Sequence, residues 1–251
     1  MTDACYLAEL GGAQPGDLVE VTGDEGRHAA VVKRTRVGET VLVADGAGAA
    51  IRGEVVEVGK QQIRVRVLDR LSTPQRTHHW TAVQALAKGD RSDIAVESLT
   101  ELGTDRIIAW QAARSVVRWD PRPGERGKAD KGVAKWQTTA REATKQSRRF
   151  RVPQVSYADT AGVVELIRSA DLALVCHEDA AVPLPRVPLP ASGEVVVVVG
   201  PEGGISPDEL EAFQAAGAQL VGLGDGVLRT STAGVVALAQ LQALAELQAG
   251  H

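Results

Sequence analysis

The chain has 251 residues, 44% of them hydrophobic and 24% charged, with a formal net charge of −4. That balance fits a globular protein of one large domain or a small and a large one, and no apolar run reaches the ~18–20 residues that cross a bilayer. The N-terminal MTDACYLAEL has no basic n-region and no apolar h-region, and Cys5 and Cys176 form no metal or redox motif, so the reading is a cytoplasmic protein with free thiols.

Residues 1 to about 70 read as β-rich. Leu18 to Val21, Thr40 to Ala44, Ile51 to Val58 and Ile63 to Leu68 are short Val/Ile-rich segments with partial alternation. Asp45-Gly46 and Gly59-Lys60 mark turns between them. Asp24 to Lys33 reads as a short helix begun by Asp24. Strands in this order with tight turns predict a small barrel. The polar stretch Leu71 to Thr77, with Pro74, reads as a linker. His78-His79 follows it, but no Cys, Asp or His stands at ligand spacing, so no metal site is expected.

From Trp80 strands and helices alternate. Thr81 to Ala87 and Arg106 to Trp110 read as strands, with a helix from about Ser92 to Leu102 between them that stops at Gly103. Lys128 to Arg149 reads as one long basic helix with Trp136 and Ala140 on its less polar side. A link begun by Pro153 leads to a helix over Ala158 to Ser169. Leu172 to Cys176 is a strand carrying His177-Glu178 at its tip, and the proline-rich residues 181–193 form a loop. Between Ala112 and Arg151 twelve Lys and Arg stand against four acids, a surplus of eight on a chain that is otherwise at −12. Such asymmetry suits a polyanion, although many charged helix faces are only solvated.

The most informative stretch is Glu194 to Ala233. Val195 to Val199 reads as a strand buried on both faces, ending in Gly200-Pro201-Glu202-Gly203-Gly204. The glycines let the backbone approach a ligand. Ser206, Pro207 and Glu209 mark the start of a helix over Pro207 to Ala216, with a capping box. Gln219 to Leu223 is a second strand, Gly224-Asp225-Gly226 a second glycine loop, and a last helix runs from about Thr232 to Gln248. The two loops are expected at the C-terminal ends of neighbouring strands, the ligand-binding edge of an α/β sheet. Neither loop has the Walker A or G-x-G-x-x-G spacing.

The pair Gly200-Pro201-Glu202-Gly203-Gly204 and Leu223-Gly224 with Val227-Leu228-Arg229-Thr230-Ser231-Thr232-Ala233 resembles the signature of the RsmE family, SPOUT-class methyltransferases of 16S ribosomal RNA. Further likenesses are Lys88 with Glu97 to Gly103, Arg114-Ser115, the run Arg141 to Arg149, and Gly26-Arg27-His28 with Val31, Arg34 and Gly38. The chain departs from the pattern at Ser231, where an acid is usual, at Val227 for Ile, at Ser98 for Lys and at Ala113 for Glu.

The resemblance implies a PUA-like RNA-binding β-barrel over residues 1–72. Over residues 73–251 it implies a SPOUT domain, α/β with a mostly parallel, trefoil-knotted sheet. It implies S-adenosyl-L-methionine as cofactor, a homodimer, no metal, and 16S rRNA or the assembled small subunit as substrate, methylated at N3 of a uridine. Arg229 and Glu202 become the catalytic candidates. Val199, Gly200, Pro201, Gly203, Gly204, Leu223, Gly224, Val227, Leu228, Thr230, Thr232 and Ala233 become the cofactor-binding set, and His177 and Glu178 join it because their strand tip is expected to face the same crevice as the two glycine loops. Arg27, His28, Arg34, Arg114, Arg141, Gln146 and Arg148 become RNA-contact candidates, His28 being equally readable as a structural histidine. The rival readings are a SPOUT enzyme acting on another RNA or atom and a non-catalytic RNA-binding protein.

Overall fold

A computed structural model describes residues 3–119 and 127–250. Asp120, Arg122, Glu125 and Arg126 of the basic stretch lie outside the described residues. The chain divides into two compact units, Met1–Gln75 with Arg141–Val152, and Arg76–Ala140 with Pro153–His251.

The first unit is a five-stranded curled sheet. Its strands are β1 (Ala4–Leu7), β2 (Leu18–Val21), β3 (Thr40–Ala44), β4 (Ala49–Val58) and β5 (Ile63–Ser72), in the order β1-β3-β4-β5-β2. β1 pairs parallel with β3, and the other pairings are antiparallel. The edges β1 and β2 do not pair with each other, so the expected barrel is a half-barrel. Period-two alternation builds its core: Val41 and Val43, Ile51 and Val55, and Ile63, Val65 and Val67 are all buried, while Arg66 and Leu68 face out. The β3–β4 turn is held by Asp45, whose Oδ1 accepts the N–H groups of Ala47, Gly48 and Ala49 at 2.7, 2.9 and 3.0 Å. The expected helix after Thr22 is two pieces, α1 (Gly23–Arg27) and a π-turn over His28–Val32.

Residues 141–152 complete this unit. Val152 N–H donates to Gly46 O at 2.9 Å and Gly48 N–H to Phe150 O at 3.0 Å. Lys145 is buried and its Nζ lies 2.9 Å from Glu25 Oε1 and 2.7 Å from Glu142 Oε1. Burial opposes its charge, but the bonds to Glu142 and Glu25 outweigh that and hold the ammonium above the ordinary lysine range. Lys145 is therefore an internal anchor and no part of a basic outer face.

The second unit is a six-stranded sheet. In chain order its elements are β6 (His78–Ala85), α2 (Arg91–Leu102), β7 (Arg106–Trp110), α3 (Lys128–Gln146, whose last six residues belong to the first unit), β8 (Gln154–Ala158), α4 (Thr160–Ser169), β9 (Leu172–Cys176), β10 (Gly193–Val199), α5 (Pro207–Ala215), β11 (Gln219–Val221) and α6 (Thr230–Gln248). The strand order is β11-β9-β10-β6-β7-β8, and every pairing is parallel. Val195 to Val199 run through its middle, no more than 3% exposed. The α5 cap is the expected box: Ser206 Oγ accepts from Glu209 N–H, and Glu209 Oε2 accepts from Ser206 N–H at 3.0 Å.

Three expectations are corrected. The link after Pro153 is a strand, β8, which the sequence hides because Gln154–Ala158 has only one strongly apolar aliphatic residue, Val155; α4 starts after it, capped by Asp159 Oδ1 on Gly162 N–H at 2.8 Å. α3 stops at Gln146, and Arg148 turns the chain with φ 52°. The two glycine loops do not leave neighbouring strands, since β9 lies between β10 and β11. Local pattern reports a strand but not its place in a sheet.

Candidate active site

β6 and β10 are neighbours whose connections leave in opposite directions, β6 towards β7 and β10 across β9 to β11. A crevice opens at the C-terminal edge where winding reverses in this way. Three strand tips meet there: the glycine loop after β10, His177-Glu178 after β9, and the loop 222–229 after β11.

The tips are bonded to one another and to the sheet. Thr230, first residue of α6 and buried, donates its hydroxyl to Gly200 O at 2.6 Å. Gln84, at the end of β6 and 1% exposed, donates Nε2 to Thr230 O and Oγ1, both at 3.2 Å. His177 N–H donates to Val221 O at 3.0 Å, and the ring Nδ1 accepts Asp179 N–H at 3.2 Å. Gln240 of α6 donates to Leu223 O at 3.2 Å.

These loops enclose a cavity of about 290 Å³ lined by Arg91, Cys176, His177, Glu178, Val199, Gly200, Pro201, Glu202, Gly204, Ile205, Val227, Leu228, Arg229, Thr230 and Ala233. A lobe of about 120 Å³ shares Cys176, His177, Glu178, Val227, Leu228 and Ala233 with it and adds Gly222, Leu223, Gly224, Asp225 and Gly226. The sequence-derived cofactor set is therefore brought together, with two exceptions. Gly203 is in neither wall; a Cβ there would lie 3.3 Å from Arg114 Cβ, so its small size serves the packing of Arg114 against the loop. Thr232 turns its hydroxyl back to Arg229 O at 3.1 Å. At Gly200 a Cβ would lie 2.7 Å from Ile205 Cγ1, which explains why the strand ends in glycine. Sequence reasoning missed Arg91, Cys176, Ile205 and Gln84; only Gln84, a polar residue in an apolar strand, left a signal.

Arg229 is the N-cap residue of α6 and exposed at the cavity rim. Glu202 Oε1 accepts from Arg91 Nη1 at 3.1 Å and from Lys88 N–H at 3.2 Å. Ser231 is buried. Burial pushes the Cys176 thiol up to about 12, so it stays protonated at neutral pH and is no nucleophile. Among the described residues no group of three His, Cys, Asp or Glu could hold a metal ion, and no helix is long and apolar enough to cross a membrane.

The RNA-contact candidates fall into two sets. Arg27 and His28, from α1 and the π-turn, lie on the same unit as Arg34, Arg141, Gln146 and Arg148. Glu25 of α1 reaches both Arg141, at 3.9 Å, and Lys145, so α1 adjoins the end of α3. His28 is half-buried, whereas Arg27, Arg34, Arg141, Gln146 and Arg148 are exposed. Arg148 Nε is engaged by Asp3 O at 3.1 Å. Arg114 belongs to the second unit, where Nη1 donates to Gly203 O at 3.2 Å.

The sequence matches the RNA methyltransferase domain family over residues 74–242 and the RNA methyltransferase PUA domain family over residues 21–68. It is 45% identical over 228 residues to the ribosomal RNA small subunit methyltransferase E of Mycobacterium bovis, covering 89% of this chain and 85% of that one. The chain belongs to the ribosomal RNA small subunit methyltransferase E family. The crystal structure of the Neisseria gonorrhoeae member bound to S-adenosyl methionine superposes with a TM-score of 0.84 at 28% identity, over 97% of this chain and 98% of that one. A Legionella pneumophila protein solved in complex with S-adenosyl methionine gives 0.82 at 27%, over 97% and 98%. The fold class of the RsmE family, a SPOUT α/β domain with a PUA-like unit, is the fold of this chain. Ser231, where the sequence departs from the RsmE resemblance, is buried at the start of α6.

Proposed function

We propose that this protein transfers a methyl group from S-adenosyl-L-methionine to N3 of a uridine in 16S ribosomal RNA of the small subunit, and that it works as a cytoplasmic homodimer. The observation that carries the reading is the cavity walled by three strand tips, on a chain whose relatives include two structures with that cofactor bound.

The walls suit the cofactor. Their volume is at the scale of small-molecule sites, roughly 300–1,000 Å³. Val199, Ile205, Val227 and Leu228 offer apolar surface for an adenine, and the backbone of Val199, Gly200, Leu223 and Leu228 offers hydrogen-bonding groups for base and ribose. Val227 is 82% exposed, apolar surface that a ligand in the cavity would cover. The bound cofactor supplies a methyl on a cationic sulfonium; the chain itself must orient, desolvate and handle a proton.

During transfer a carbon–sulfur bond breaks with its electron pair left on sulfur, a carbon–nitrogen bond forms at N3, and the N3 proton passes to solvent water. As that proton departs, negative charge spreads to the two flanking carbonyl oxygens, so a cation beside the base lowers the barrier. Arg229 would take that role: it is exposed at the cavity rim, and among the described residues no side-chain partner occupies it. N3 is on the Watson–Crick edge, so the target base must be unpaired or flipped out. The exposed Arg27, Arg34, Arg141, Gln146 and Arg148 of the PUA-like unit would hold RNA phosphates.

The discriminating experiment is Arg229→Ala. We expect methyl transfer to small-subunit RNA to fall by at least 100-fold while RNA affinity changes less than threefold. Unchanged transfer would overturn the role of Arg229, and no transfer by the unaltered protein in the presence of bound cofactor would overturn the reaction.

A further inference from the structure

Resting on the reading above, we infer that Arg91 is a second substrate-binding cation of the active site and that Glu202 is its positioning residue, not a base. Arg91 opens α2, on the loop that leaves β6, and lines the same cavity as Arg229. Its side chain is 37% exposed. Among the described residues Glu202 is the one polar partner of that side chain, through Nη1 at 3.1 Å. A guanidinium carries five N–H donors in a rigid fork, so most of its donor capacity remains for a ligand.

Glu202 is committed in the other direction. Its Oε1 accepts two hydrogen bonds, from Arg91 Nη1 and from Lys88 N–H. Lys88 lies on the β6–α2 loop and Arg91 at the first position of α2, whereas Glu202 sits in the glycine loop after β10. The carboxylate therefore staples one loop to the other and fixes the direction of the guanidinium. A general base needs an oxygen aimed at the proton it removes; here the shared oxygen is aimed at a cation and a backbone amide. Two guanidiniums, Arg91 on the β6 side and Arg229 on the α6 side, then line one cavity. That pair fits a planar base with an acceptor oxygen on each side of the reacting nitrogen, as in a uracil ring. Arg91 donates to one carbonyl oxygen and stabilises the charge that develops there when the ring nitrogen loses its proton.

The test is a double-mutant cycle on the full chain with Arg91→Ala, Glu202→Ala and the pair, measuring kcat for transfer to small-subunit RNA and, separately, the calorimetric Kd for S-adenosyl methionine. We expect Arg91→Ala to lower kcat 10- to 100-fold with the cofactor Kd within threefold, Glu202→Ala to lower it less, and the pair to be no slower than Arg91→Ala alone. Arg91→Lys, which keeps the charge and loses the fork, should fall between the parent and Arg91→Ala, and it serves if the alanine variant does not fold. A pair far slower than Arg91→Ala gives Glu202 an independent role and overturns the inference, as does an Arg91→Ala enzyme with the parent's kcat. A parent inactive on small-subunit RNA removes the proposed reaction and this inference with it; an active parent with any of the contrary cycles removes the inference alone.

Discussion

The N–H of Ala113 donates to Glu209 Oε1 at 2.7 Å. The same oxygen takes the hydroxyl of Thr160 at 3.0 Å, and Oε2 takes the N–H and hydroxyl of Ser206 at 3.0 and 2.8 Å. A carboxylate 4% exposed is thus satisfied by four donors from three segments. It fixes Ala113, and so the neighbouring Arg114, against the glycine loop. Removing it strands the Ala113 amide and the Thr160 and Ser206 hydroxyls. Glu209→Ala should lower stability by about 2–4 kcal/mol, read as the midpoint and slope of urea unfolding. A loss below about 0.5 kcal/mol would show that the network is dispensable.

Capping at Ser206 and Glu209 was legible in sequence because a capping box is a local code of four residues. The bonds from Ala113 and Thr160 were not, since each donor lies tens of residues from Glu209. The same division runs through the site. The glycine loop, its buried valine strand and the tip at His177 and Glu178 follow from local pattern. Arg91 entered the cavity only when the β6–α2 loop met Glu202, and β11 took its place beyond β9 through sheet order. Lys145 looked like one more cation of a basic helix until Glu25, far earlier in the chain, folded beside it.

Lys145 should behave as a buried ion-pair partner. Lys145→Met leaves Glu25, half-buried, facing Arg141 alone at 3.9 Å, and stability should drop by about 2–3 kcal/mol. The folded-state ammonium is held above the ordinary value of 10.5. Its contribution is therefore complete at neutral pH and declines only as pH rises past that value. The gap between the urea midpoints of parent and variant should be full at pH 7 and begin to narrow by pH 11, because the contribution is lost only as pH passes through the raised folded-state value. A gap that stays constant would contradict the ion-pair account.

The thiols should be slow to alkylate. Burial, with a smaller push from Glu25, raises Cys5 from 9.0 to about 11, and burial raises Cys176 from 9.0 to about 12. At pH 8 both thiolates are therefore far scarcer than in the unfolded chain, and iodoacetamide labelling of the folded protein should be at least about 10-fold slower. S-adenosyl methionine should slow labelling of Cys176 further and leave Cys5 unchanged. Equal protection of both would place the cofactor elsewhere or point to a global effect.

Thr230 is the joint between the glycine loop and the sheet. Thr230→Val keeps its shape, removes the donor to Gly200 O and leaves Gln84 Nε2 with the Thr230 carbonyl as its bond to that residue. At roughly 1–2 kcal/mol for a hydrogen bond of this kind, the cofactor Kd should rise about 5- to 30-fold with a smaller change in the RNA KM. An unchanged cofactor Kd would show that the loop holds its shape without this bond.

The reaction is tested by incubating the purified protein with methyl-labelled S-adenosyl methionine and small ribosomal subunits that lack the modification, then identifying the labelled nucleoside. Label is expected in 3-methyluridine from 16S RNA. Label in any other nucleoside would contradict the assignment of the atom, and absence of label despite measurable cofactor binding would contradict the assignment of the substrate.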